Sequence, residues 1–431
     1  MNKLLLLILI LLLVNHCSIK KKRFWNTDKS NIDEIANVKK ILTKQARGEQ
    51  ELNPTLKIKI SDGKFNKNFN NNQNNLGELF YDGNLEKRSK YNFSKFNDFE
   101  YIDTQPAFYN GNIIFSDNNG AIIFYDQNQK IIWKKNHYNK IEKKLKPRLN
   151  FDIQKNILIV IDDVAKYYAI DIETGDVIWK KNNIVPFNSE IKIKDDNFYA
   201  VDYKNILRSS SIKNGNELWN LRTEESLTKS NTKLSIVIDG TNIYFNNTIG
   251  DITAANLKSG QLVWQLSTQN NNINKNAFQF SNSKLVVSEN SIFFSNNKNE
   301  FYSIDTKTGL LNWKNEINSI LRPIVIGKYI MTVSDNGYFY IIDKVSGNII
   351  RINDLYKNYK IKKRNDLHPT GFLVAANKIY LSNSDGKLII ADLNTVNILD
   401  TIKIHSDRIL QPLINNNNLY LIRNGSIVRF N

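Results

Sequence analysis

Short apolar runs alternate with polar turns along most of this chain. Ile113-Ile-Phe-Ser116 and Ala121-Ile-Ile-Phe-Tyr125 form one pair; Leu419-Tyr-Leu-Ile422 and Ser426-Ile-Val-Arg-Phe430 form the last. Runs this short, bounded by breakers such as Ser116-Asp-Asn-Asn-Gly120, Ser334-Asp-Asn-Gly337 and Asn383-Ser-Asp-Gly386, predict β-strands joined by tight turns. Helical periodicity is scarce beyond residue 50.

A phrase follows each pair and carries the chain into another strand. Its clearest copies are Asp171-Ile-Glu-Thr-Gly-Asp-Val-Ile-Trp179 and Asp305-Thr-Lys-Thr-Gly-Leu-Leu-Asn-Trp313. Looser copies end at Trp219, Trp264, Arg351 and Asp400, and a copy one residue shorter runs Asp126 to Trp133. The copies end 38 to 49 residues apart, a period of repeat arrays. The leading Asp, Asn or Ser suits a turn by accepting backbone N–H bonds, and the central Gly tolerates positive φ. Trp133, Trp179, Trp219, Trp264 and Trp313 each offer a large surface for sealing one unit against the next.

Five prolines, Pro106, Pro147, Pro323, Pro369 and Pro412, stand just before a unit's first apolar run, where no ladder donor is lost. Each unit therefore reads as four strands, a propeller blade. Seven units end near Lys403, and the remainder supplies three strands of another. An unpaired edge would be left, so Lys87 to Phe96 is expected to donate the fourth strand. The expected fold is all-β: an eight-bladed propeller of four-stranded antiparallel blades spanning 85–431, its last blade closed by an N-terminal strand. A seven-bladed ring with the last segment packed outside is the alternative.

The first residues change the picture of compartment. A charged Met1-Asn-Lys3 and the apolar Leu4–Val14 read as a signal peptide over 1–16, too short for a comfortable membrane span. Cys17, the sole cysteine, follows directly, and Leu13-Val-Asn-His-Cys17 resembles a bacterial lipobox with Asn15 and His16 replacing small residues. Lipidation of Cys17 and an incidental Cys after a cleaved leader are the two readings. Residues 17–84 read as a tether with a basic cluster at Ile19–Arg23, a short helix from Ser30 to about Arg47 and an Asn-rich loop over Asn66–Asn75. A net charge of +17 invites a nucleic-acid partner, but Lys and Asn are spread throughout, and a leader argues against one.

Catalytic chemistry is hard to find. The histidines His16, His137, His368 and His405 lack metal-ligand spacing, and no GxSxG, P-loop or GxGxxG occurs. His405-Ser-Asp407 is better read as a surface turn. Asp251, Asp335 and Asp385 share one turn position, where holding backbone donors suffices.

The phrase at Asp171–Trp179 and Asp305–Trp313 resembles the pyrroloquinoline-quinone-type β-propeller repeat. One branch of that family, the quinoprotein alcohol dehydrogenases, binds quinone and calcium and typically carries a vicinal cysteine pair, which is absent here. The other branch, the propeller lipoproteins of outer-membrane β-barrel assembly, is similar in blade number, size, leader and closure. That resemblance implies a non-enzymatic scaffold without a cofactor or metal, lipid-anchored or soluble on the periplasmic side of the outer membrane. Its implied partners are the barrel-inserting protein and nascent barrel proteins. An envelope propeller with another partner or ligand, and a quinone-dependent dehydrogenase, are the alternatives.

Links that follow the Trp strand all emerge on one face. Lys140, Lys143, Lys144 and Lys146 lie in one basic link, and Lys360, Lys362, Lys363 and Arg364 in another. Gln269 to Phe278 is a third, polar link. Arg148, Arg322 and His368 should join Lys146 near the central channel on the same face. These eleven residues are the expected partner surface, suited to an acidic surface or anionic lipid.

Overall fold

The computed structural model describes residues 58–61, 63–68, 73–86, 88–225, 233–268 and 280–431. Cys17, the leader, the expected helix and the link from Gln269 to Phe278 lie outside the described residues. The rest forms an eight-bladed β-propeller. Blades 1 to 7 are consecutive antiparallel sheets of four strands, spanning 107–136, 149–182, 192–222, 236–266, 286–315, 324–354 and 369–403. Blade 8 combines Leu413–Asn415, Asn418–Arg423 and Ser426–Phe430 with Arg88–Asn92, which pairs antiparallel with the last of these from Arg88↔Phe430 to Asn92↔Ser426. The expected closure by an N-terminal strand is what forms.

Each blade's two middle strands are buried almost throughout, as in Ala121–Tyr125 and Ile157–Asp162. The outer strands are exposed at alternate positions, and in blades 1 to 7 each shifts register against the third strand one residue before the Trp position. Such a bulge twists an otherwise open edge and discourages edge-to-edge pairing.

The repeated phrase interlocks neighbouring blades. Trp179 of blade 2 donates its indole N–H to the Ile212 carbonyl in the phrase of blade 3, at 2.6 Å. Its ring lies over Gly215 of that phrase, where a Cβ would stand 2.5 Å from the indole. Trp133, Trp264 and Trp313 make the same bond to Ile172, Thr306 and Lys344, at 2.8, 2.9 and 3.1 Å. Trp219 lies over Gly260 in the same manner. The phrase glycine is thus required twice, for its positive φ (+69° at Gly215) and for its missing side chain. Its leading Asp does what turn chemistry demands: Asp305 Oδ1 accepts the N–H groups of Lys307 and Thr308 at 3.0 and 2.8 Å.

Blades 6 and 7 break the pattern. Arg351 stands where a Trp would and donates to the Asn394 carbonyl of the next phrase. Among the described residues no indole covers that phrase, and its Gly position holds Val396 at φ +56°.

A chain segment ahead of the closing strand crosses the opposite end of the ring from the links after the Trp strands. Asn74 donates to the Ile238 carbonyl of blade 4 at 2.6 Å, and its own carbonyl accepts from Val287 of blade 5 at 3.3 Å. Asn75 bridges the Val325 backbone of blade 6, donating at 2.7 Å and accepting at 3.0 Å. Glu78–Leu79 then pairs parallel with the innermost strand of blade 7. This strap lies within the span read as a tether and uses its asparagines to satisfy inner-strand backbone groups facing the channel.

Candidate functional site: the channel mouth at the strand-start face

The innermost strand of every blade begins on the face that carries the inter-blade links. The residues just before or at those starts point toward the axis and line a central cavity of about 830 Å³. Of the four residues expected there, Arg148, Arg322 and His368 line it, whereas Lys146 lies instead on a depression of blade 1. Sequence reasoning missed Lys233 and Lys284, which line the same cavity from blades 4 and 5, and Glu190 at the corresponding place in blade 3. Their shared signal was register: each stands within three residues of the start of an innermost strand.

The electrostatics follow from shelter. Glu190 Oε1 lies 2.8 Å from Lys284 Nζ, and its Oε2 lies 3.8 Å from Lys192 Nζ. Burial alone would raise the Glu190 pKa, but the charges of Lys284 and Lys192 outweigh it and hold the carboxyl down at about 2. Lys284 is pushed up, because attraction to Glu190 exceeds its own desolvation. Lys192 and Lys233 are lowered to about 8, chiefly because burial disfavours their charged forms. His368 Nδ1 is 3.0 Å from Asp335 Oδ1 at the rim.

The basic links are placed apart from this cavity. Lys143, Lys144 and Lys146 border a shallow depression on blade 1 together with Lys134, which pairs with Asp117 at 2.9 Å. Lys146 closes a 3-10 turn over Glu142–Leu145 with φ +51°. Lys360 precedes a single helical turn, Ile361–Arg364, in the link between blades 6 and 7. Two of its cations are engaged within the chain: Lys363 with Asp385 at 3.1 Å and Arg364 with Asp354 at 2.6 Å. The eleven expected residues therefore divide among a channel ring, a blade 1 cluster and a blade 6–7 cluster. His405 and Asp407 come within 3.8 Å of each other in one turn, where the Asp407 backbone N–H donates to His405 Nδ1 at 3.2 Å and the Ser406 hydroxyl to Asp407 Oδ2 at 3.4 Å, as a surface turn would arrange them. Among the described residues no group of three or more His, Cys, Asp or Glu is arranged to hold a metal ion.

Eight four-stranded blades, the interlocked Asp-x-x-Thr-Gly-x-x-x-Trp phrase and terminal strand closure define a pyrroloquinoline-quinone-type β-propeller. The family model described as outer membrane protein assembly factor BamB matches residues 102–353, more than half of the chain. The chain belongs to that family. It is 24% identical over 164 residues to the outer membrane protein assembly factor BamB of Shewanella oneidensis, a match spanning 36% of each chain. The stretch matched is thus about a third of that relative's length. The crystal structure of BamB from Moraxella catarrhalis superposes with a TM-score of 0.62 at 16% identity, covering 79% of this chain and 99% of that one. Quinohemoprotein alcohol dehydrogenase from Comamonas testosteroni superposes at 0.57 with 11% identity, covering 82% and 78%. At such identities the two structural likenesses speak for the fold alone.

Proposed function

We propose that this protein is a non-enzymatic scaffold of outer-membrane β-barrel assembly, held at the periplasmic face of the outer membrane. The observation that carries the reading is the family match over residues 102–353, which spans the interlocked blades 1 to 6. The leader-like first residues and Cys17 fit delivery to the envelope and a lipid anchor. A rigid ring presents its links in fixed geometry, which suits a protein that positions others rather than transforms a substrate. On this reading the strand-start face meets the barrel-inserting protein. Lys140, Lys143, Lys144 and Lys146 would make one electrostatic contact zone, and Lys360, Lys362, Lys363 and Arg364 the other. Arg364 and Lys363 contribute less, because Asp354 and Asp385 already neutralise them.

Affinity capture of the full chain from envelope membranes tests this reading. The barrel-inserting protein should co-purify, and reversing the charges of Lys140–Lys146 and Lys357–Arg364 together should reduce its recovery several-fold without lowering the melting temperature. Recovery equal to that of an unrelated envelope protein would sink it.

A further inference from the structure

Outer strands are the exposed edges of the ring, and seven of the eight are protected in the same way. In blades 1 to 7 a bulge interrupts the pairing of the outer strand just before the Trp position. Several of their lysines are also paired: Lys134 with Asp117 at 2.9 Å, Lys135 with Asp176 at 2.6 Å and Lys314 with Glu300 at 2.5 Å. Blade 8 differs. Its outer strand, Arg88–Asn92, is drawn from the N-terminal segment and pairs with Ser426–Phe430 over five consecutive residues without a shift. A regular edge of this kind is a template for one more strand.

The ladder tells which backbone groups of this strand face the rim. Phe93, one residue on, donates its N–H to the Gly425 carbonyl at 3.1 Å. Alternation then turns the N–H groups of Tyr91 and Ser89 toward Ser426–Phe430, and those of Arg88, Lys90 and Asn92 outward. The Asn92 carbonyl agrees, accepting from the Tyr125 hydroxyl of blade 1 at 2.5 Å. Arg88 and Lys90 are both exposed, and their side chains share one face of the strand, roughly 7 Å apart. The Arg88 guanidinium lies 5.2 Å from the Phe430 ring centre, and neither residue has an ion pair among the described residues. Arg429, opposite Ser89, donates to the Tyr91 hydroxyl at 3.1 Å and the Gln127 carbonyl at 2.9 Å, neutral groups that leave its charge uncancelled. Lys87 precedes the strand in the sequence. Against these cations stand Glu86, ahead of the strand, and Asp126, whose Oδ1 already accepts the N–H groups of Asn128 and Lys130 at 2.8 Å. The edge is cationic on balance.

We propose that the outer edge of blade 8 accepts one extended segment of a partner protein, with Asp or Glu at alternate positions, as a fifth strand. Backbone groups of Arg88 and Lys90 supply the bonds of strand addition, and their side chains supply the choice of sequence. The same charges exclude a second copy of this chain. Two such edges would set Arg and Lys against one another, and like charges placed opposite destabilise a strand pair. Acidic residues two apart on an incoming strand stand beside Arg88 and Lys90 instead. This edge lies on the rim, outside the link face used in the scaffold reading, so the two stand or fall separately.

Fluorescence anisotropy on the full chain tests it, with a labelled seven-residue peptide alternating Glu and Val and the same peptide carrying Lys for Glu. The Glu peptide should bind saturably at one site, and the Lys peptide should not bind. Lys90→Pro removes an outward N–H and none of the inward ones, so it should weaken binding at least tenfold with little change in melting temperature. Arg88→Glu together with Lys90→Glu should reverse the preference, losing the Glu peptide and gaining the Lys peptide. Lys180→Glu with Lys181→Glu makes the same charge change on the bulged outer strand of blade 2 and should leave binding within about twofold of wild type. Should Lys90→Pro destabilise the ring, the reversed preference of the Arg88→Glu, Lys90→Glu variant decides. No saturable binding of the Glu peptide, binding untouched by Lys90→Pro in a folded ring, or equal loss in the blade 2 variant overturns the proposal.

Discussion

Five seams between blades are sealed by the repeat, and three are sealed by something else. From blade 1 to blade 6 each seam carries a Trp over the next blade's phrase glycine. The seams 6–7, 7–8 and 8–1 have no such Trp, and each contains apolar residues from the N-terminal segment instead. Ile58 and Ile60 join Ile326, Leu393 and Val396 between blades 6 and 7. Leu79, Tyr81 and Leu85 join Tyr380 and Leu421 between blades 7 and 8. Leu76, Tyr91, Phe93, Phe96 and Phe99 fill the last seam. The segment that closes the ring thus also compensates where the phrase has decayed. In a ring every seam must be filled, because one open interface would expose two blade faces at once.

The largest effect should come from the closing strand. Successive residues of a strand point their N–H groups to opposite sides, so replacing both Lys90 and Tyr91 by Pro removes at least one donor toward Ser426–Phe430. A loss of about 3 kcal/mol or more is expected, and chemical denaturation should lose its single transition. Next comes Trp179→Ala, expected to cost about 3–5 kcal/mol as a large core truncation. Gly215→Ala should cost about 1–3 kcal/mol by forcing a Cβ into the Trp179 ring at positive φ. In the Trp179→Ala background most of that cost should vanish, leaving only the backbone strain; additive costs in a double-mutant cycle would show that the glycine does not serve the indole. Val396→Gly, the same phrase position at a seam without Trp, should change stability by less than Gly215→Ala, because strain relief offsets lost burial.

A smaller effect concerns pH. Glu190 is held at about 2 in the folded protein against an ordinary 4.5, so the unfolded chain binds more protons between those values. Its contribution is complete above about pH 4.5 and is lost as pH falls toward 2. Denaturant midpoints across that window should fall less steeply in Glu190→Gln than in the wild type.

The two kinds of seam also explain what could be read in advance. The Trp seams are periodic, so the phrase, the prolines and the missing fourth strand of blade 8 disclosed the blades and their closure. The strap is not periodic. Asn74 and Asn75 act by meeting backbone groups of blades 4, 5 and 6, which leaves no hydrophobic pattern, only an Asn-rich stretch. Arg148, Arg322 and His368 were legible because a proline sits beside each innermost strand there. Lys233, Lys284 and Glu190 start strands without a proline, so their convergence needed the ring itself.

Hydrogen–deuterium exchange on Leu79→Ala and Tyr81→Ala tests the division of sealing most directly. Both side chains come from the N-terminal segment and belong to the apolar cluster of the 7–8 seam. Protection should fall in 369–403 and 413–430 while 192–315, sealed by Trp179 to Trp264, keeps its wild-type exchange. Equal loss around the whole ring, or none in blades 7 and 8, would contradict the account.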